Sequence, residues 1–350
     1  LMSIANIWQL AVVAIGPLII SWQVLDAGGG VELIIYGMAA LFFLSAPFIV
    51  KYLKIYTLLD GRFFRKNKLK ELVVYAMPRV PGIFSYNLMF AVGPFIAAYH
   101  GLLRESGFIV IGQFVLRIVE GGLESFSRVA FPRLAQDFSK SGKEGVTKSV
   151  SNLVAMIFHI GFYVTVHLLV WNDVIITSWL GVEYIDALIP MQIITLAILP
   201  YLFFVIMRNV LDAVEVKSIV ANYLHVALLI TIFFSLLSMW IDLSVNGLAI
   251  SFITGIFFMG LMTLRRIYND FSVDKGSLYF LKIISLNALI LVVLFLVKIG
   301  YEFSIMEPVT MLPLLLMEVL FFTLYIYYIN KMECSWIQMI LNRLIKEERV

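Results

Sequence analysis

Blocks of about 20 apolar residues recur along the chain, parted by short polar breaks, and they decide what this sequence can become. A helix of that length crosses a bilayer hydrocarbon core about 30 Å thick. Lipid offers no partner to a free backbone N–H or C=O, so such a block must close its hydrogen bonds internally, as a helix. Ten spans are predicted, over 2–24, 31–52, 73–100, 107–131, 149–171, 187–213, 218–240, 245–264, 279–299 and 308–330. Composition agrees: of 350 residues 61% are apolar and 14% charged, with a mean hydropathy of +0.96. Soluble domains carry about a quarter charged residues. The expected fold is all-α, a polytopic membrane helix bundle. Cys334 is the single cysteine, which excludes an intrachain disulfide and a cysteine-rich metal cluster.

Basic residues in short loops set orientation. Lys51, Lys54, Arg62, Arg65, Lys66, Lys68 and Lys70 follow the second span. Arg133, Lys140, Lys143 and Lys148 come two breaks later, then Lys217, then Arg265, Arg266 and Lys275. Loops 25–30, 172–186 and 241–244 hold no Lys or Arg; Arg104 and Lys298 are exceptions elsewhere. Every second loop is therefore basic, which puts both ends of the chain in the cytoplasm. The polar stretch 53–72 reads as a linker at an anionic membrane face, or as a hinge between bundles. In the tail 332–350, Trp336, Ile340 and Leu344 with Ile337 and Leu341 suit an amphipathic helix on the inner leaflet.

Charges inside spans are costly and usually face a bundle interior or an aqueous cavity. Arg117, Glu120, Glu124 and Arg128 share one helical face, beside Gly121 and Gly122, and suggest a water-filled cavity. One of these glutamates binding a coupling cation is the sharper version of that idea. Pro78, Pro81 and Gly82 read as a helix break holding Arg79, which either snorkels to phosphates or takes part in binding and gating. Arg208 and Asp212, four apart, either pair along their own helix or face the cavity. Glu318, His159 and His167 have no obvious partner nearby in sequence, and packing is the expected role of the histidines. The chain contains no G-x-x-x-x-G-K-[ST], H-E-x-x-H or G-x-S-x-G motif, so no enzymatic site is predicted.

Tyr75-x-x-Pro78-Arg79-Val80-Pro81-Gly82 resembles the signature opening the C-terminal half of polysaccharide flippases in the MATE-like exporter superfamily. Pro132-Arg133-Leu134, Trp179-Leu180-Gly181-x-x-Tyr184, Arg208-Asn209-Val210-Leu211-Asp212 and Asn246-Gly247-Leu248-Ala249 follow in the family's order. The similarity covers about 55–265. It implies a two-lobed transporter of 14 helices, of which this chain would be the C-terminal part, with about four helices preceding Leu1. By that division 1–72 ends the N-lobe and carries the linker, 73–265 is the six-helix C-lobe, 266–331 an extra helix pair, and 332–350 the tail.

The resemblance further implies a substrate: an oligosaccharide joined through diphosphate to undecaprenol, flipped across a bacterial inner membrane for O-antigen or related surface polysaccharide. Arg79, Arg117 and Arg208 would meet the anionic head group. Membrane lipids and other polysaccharide assembly proteins are the expected partners, with no nucleic acid, resident metal or cofactor. Without a nucleotide site, transport would draw on Na⁺ or H⁺, or on a downhill substrate gradient. The rivals are a cation-coupled multidrug exporter of the same superfamily and, from another class, a membrane glycosyltransferase or polysaccharide polymerase. A reporter fused after residue 65 or 142 should read cytoplasmic, and one after 178 external. The reverse result at either end would shift the helix count by one.

Overall fold

The computed structural model describes residues 10–52, 70, 73–74, 76–77, 79–214, 219–242, 244–271, 273, 277–300 and 318–327, with the side chains of 10, 13–14, 48–52, 123–133, 135, 213–214, 277–278 and 300 outside that description. The expected linker over 53–72, apart from Lys70, and the amphipathic tail lie outside the described residues, as does Pro78. Among the described residues the chain is almost wholly helical, with no strand. Five helices are long and apolar enough to cross a membrane, or six if one bent pair forms a single span. This is an all-α membrane protein.

By its contacts the chain divides into two compact units, Leu1–Ala76 and Met77–Val350. In the first, a π-helical turn (Leu10–Ile15) leads into α1 (Gly16–Asp26), which packs on α2 (Val31–Tyr52). The second holds α3 (Arg79–Tyr99), α4 (Leu103–Trp179), a 3-10 turn (Val182–Ala187), α5 (Leu188–Thr195), α6 (Ile198–Val214), α7 (Ile219–Trp240), α8 (Ser244–Phe271) and α9 (Ser277–Gly300). A further apolar helix, α10, covers Glu318–Tyr327.

Three features of the second unit follow from local chemistry. A straight helix over the 77 residues of α4 would be about 115 Å long, far more than one span needs. Gly142 interrupts it with φ 65° and ψ −159°, a backbone that side chains with a Cβ rarely adopt. The break predicted between the fourth and fifth spans thus narrows to one glycine. The predicted span 187–213 is bent by 51° between its parts. Pro200 explains the position: it offers no N–H to Leu196, and its ring crowds that carbonyl.

Residues 73–74 and 76 are helical, Met77 is a turn and α3 starts at Arg79, so the described helix is interrupted next to Pro78. Pro81 falls in the first turn of α3, where N–H groups lack helical partners anyway. Gly82 serves packing: an added Cβ would lie 2.8 Å from the Ala221 Cβ and 2.9 Å from its Cα on α7. Ser85 and His225 join the same two helices one turn on, 2.7 Å apart. Gly121 and Gly122 were read as allowing close approach or bending; an added Cβ meets nothing within 4 Å at either, among the described residues.

Ion pairs show how the helices thread. Arg79 at the start of α3 meets Asp212 at the end of α6, 3.4 Å apart. Lys143, next to Gly142, meets Asp270 at the end of α8 at 3.7 Å. At the opposite end Arg104 joins Asp186 at 3.2 Å, and Lys298 of α9 joins Asp173 of α4 at 2.7 Å. Arg79 and Lys143 thus each bind an acidic residue at the end of a neighbouring helix.

Gly82→Leu should wedge α3 from α7 and lower the unfolding temperature of the detergent-solubilised protein by several degrees. Gly121→Ala fills open space within a helix and should be neutral or stabilising, by up to about 1 kcal/mol. Equal effects of the two would remove the close-packing explanation for Gly82.

Candidate functional site

The charged face of α4 meets α3 and α6 deep in the second unit, and Glu120 is the point where they converge. Arg117, one turn earlier, donates from Nη1 to Glu120 Oε2 at 3.0 Å. The Tyr201 hydroxyl of α6 donates to the same oxygen through a short hydrogen bond. Tyr86 of α3 approaches both carboxylate oxygens, at 3.3 and 3.4 Å, and its hydroxyl is 2.6 Å from that of Tyr201. Arg208 Nη2 of α6 stands 4.0 Å from Glu120 Oε1. One carboxylate thus serves two guanidiniums and two phenols from three helices.

Aromatic faces complete the holder. The Arg117 guanidinium carbon is 4.0 Å from the Phe90 ring centre and 5.0 Å from that of Tyr86. Arg208 lies 5.5 Å from Tyr86 and 5.8 Å from Phe204. Such contacts favour a cation held without water on that side. The accessible surface is uneven: the side chains are 12% exposed for Glu120, 37% for Arg117 and 28% for Arg208. The anion is covered while both cations keep an open edge.

Of the residues singled out by sequence, Arg117, Glu120 and Arg208 come together. Arg208 does not turn to Asp212 along its own helix, because Glu120 gives it a better-buried acceptor across the interface. Arg79 does not join the cluster. Tyr86 meets Glu120, and Arg79 lies seven residues, about 10 Å, nearer the start of α3. There it pairs with Asp212. Glu124 and Arg128 lie on α4, with their side chains outside the described residues.

Tyr86, Tyr201, Phe90 and Phe204 escaped sequence reasoning. A phenol inside an apolar span needs a hydrogen-bond partner when buried, so Tyr86 and Tyr201 carried a signal. The phenylalanines carried none among 28 in the chain. Among the described residues, no group of three or more His, Cys, Asp or Glu is placed to hold a metal ion. Among the described residues the cluster presents two guanidiniums, two phenols and one carboxylate.

Glu120→Ala would leave two guanidiniums facing each other without their acceptor and should cost about 3 kcal/mol, read as a lowered unfolding midpoint. Tyr201→Phe removes one bond to the carboxylate and should cost about 1.5 kcal/mol. A larger loss for Tyr201→Phe than for Glu120→Ala would show that the carboxylate is not the hub. In comparisons with known proteins, no family model matches this chain, and neither a curated protein nor a solved structure does.

Proposed function

We propose that this chain translocates a diphosphate-linked oligosaccharide carried on undecaprenol, from the inner to the outer leaflet of a bacterial plasma membrane, for O-antigen or other surface polysaccharide synthesis. The observation that supports this reading best is the pair Arg117 and Arg208, held by one covered carboxylate with their outer edges open. Among the described side chains Glu120 is the one carboxylate set against the two guanidiniums, and Arg79 stands apart from them beside Asp212. Guanidinium binds phosphate through paired hydrogen bonds. Phenolic hydroxyls beside it suit sugar hydroxyls, and the polyprenol tail can stay in lipid throughout.

In this mechanism Glu120 is a positioning residue. It fixes both forks before substrate arrives, which lowers the entropy cost of binding. A diphosphate then competes with Glu120 for the two arginines, so the helices carrying them make different contacts when loaded and empty. That difference in contact energy lets a ligand shift a conformational equilibrium. Rocking of helical bundles about such a site is how many transporters expose it alternately. The multidrug-exporter alternative fits the cluster less well, because its carboxylate is engaged by two arginines and the aromatic faces are occupied by the same cations. A glycosyltransferase or polymerase would need acidic or basic catalytic groups on a sizeable loop, and the described loop at the Trp179 end is the short turn Val182–Ala187.

Arg117→Ala and Arg208→Ala should each weaken pyrophosphate binding by purified protein about tenfold to a hundredfold, the worth of a charge-assisted bond. Both should abolish complementation of a flippase-deficient strain at matched expression. Lysine at either position should restore function in part, keeping charge without the fork. Wild-type complementation by both alanine variants would remove the anion site and bring the drug-exporter reading forward.

A further inference from the structure

A second polar cluster, separate from the Glu120 site, lies where α9 and α10 pack against the later half of α4. It contains two buried histidines whose surroundings differ in one decisive respect. His159 has a hydroxyl on each ring nitrogen: Tyr325 at 3.0 Å from Nδ1 and Tyr279 at 3.1 Å from Nε2. A hydroxyl can donate or accept, so either neutral tautomer of His159 is satisfied. Asn287 adds a bond to Tyr325 at 3.2 Å. This histidine has the packing role expected of it.

His167 is held differently. Its Nδ1 is 2.8 Å from the Tyr163 carbonyl oxygen, which can only accept, so Nδ1 carries a hydrogen and donates it. In a neutral ring Nε2 is then a bare lone pair. That atom is 3.1 Å from Glu318 Oε2 of α10, with the oxygen placed as an ion-pair partner rather than along a hydrogen-bond axis. Without a proton on this pair, a lone pair and a carboxylate oxygen would press together inside an apolar bundle. Trp171 donates to the other oxygen, Oε1, at 2.7 Å, and holds the carboxyl against α4.

We propose that His167 and Glu318 form a proton-binding site that ties the protonation of this seam to the packing of α10 on α4. A proton from water binds Nε2, giving an imidazolium paired with carboxylate and no net charge. Its release returns a neutral imidazole and leaves one uncompensated negative charge. The side chains are 9% exposed for His167 and 27% for Glu318, so the imidazole is the better covered of the two. Among the described residues, the other groups facing the seam have partners of their own. Lys298 of α9 is bound to Asp173 and to the Val170 carbonyl, at 2.7 and 2.6 Å. Tyr163 stacks on His167 with ring centres 3.9 Å apart, and Tyr325, Tyr279 and His159 bond among themselves. Unloaded, the seam must hold a buried charge or loosen, and that links proton occupancy to helix packing.

The test uses full-length protein in lipid nanodiscs with ¹⁵N-labelled histidine, the His167 signals being identified by their loss in His167→Asn. Nδ1 of His167 should stay protonated throughout, while Nε2 gains a proton in one step within about pH 5 to 8. In Glu318→Gln the carboxamide N–H can satisfy Nε2, and that step should move down by at least one pH unit. A wild-type Nε2 that does not titrate, an Nδ1 found unprotonated, or the same step in Glu318→Gln would each overturn the proposal. Pyrophosphate binding, measured alongside, should be unchanged in Glu318→Gln. Loss of that binding in wild type would fell the substrate reading and leave the proton result standing.

Discussion

The carboxylate of Glu120 organises the second unit's interior more than any apolar contact around it. Apolar side chains have no preference for one another over lipid tails, so packing inside a membrane gains specificity from small residues and from polar groups that need partners. Glu120 needs several. Tyr201 fixes α6 against α4, Tyr86 fixes α3, and Arg117 closes the ring from one turn away. The core residues nearby, Met89, Tyr201, Phe204 and Phe252, fill the space these bonds define.

That arrangement also resolves an apparent conflict of costs. A carboxylate and two guanidiniums are each expensive to place in a helix bundle. Grouped, they solvate one another, and the aromatic faces of Phe90, Tyr86 and Phe204 take over part of the cations' hydration. What is left unsatisfied is concentrated on the open edges of Arg117 and Arg208. Among the described side chains one carboxylate faces two guanidiniums, so a single ion pair does not account for the cluster.

Much of this was legible in the sequence, and the unreadable part has a physical cause. The helical class followed from apolar block length, because lipid leaves the backbone no other choice. The break near 142 was legible as a polar stretch, yet its reduction to one left-handed glycine was not, since the basic residues around it suggest a loop as readily as two protruding helix ends. The α4 stripe announced itself by spacing alone. Partner choice did not: Arg208 and Asp212 are neighbours along one helix, and only the arrival of Arg79 and Glu120 from other helices separates them. The number of spans likewise depends on more than hydropathy, as the 51° bend before Pro200 illustrates.

The two polar clusters differ in a way that bears on how such a protein could work. Around Glu120 one carboxylate faces two guanidiniums among the described side chains, and the open side faces outward from the carboxylate. Around Glu318 the balance depends on a single proton, and the carboxylate belongs to α10, outside the six-helix set formed by α3 to α8. Both clusters rest on α4, on either side of Gly142, so a change at one is borne by the same chain segment that forms the other. Gly142 sits where that segment can turn without straining a side chain. A long helix jointed by one glycine, with a charged cluster on each arm, gives each site a rigid lever of its own. The arginines and the histidine thus rest on different carboxylates, Glu120 and Glu318, on opposite sides of that joint.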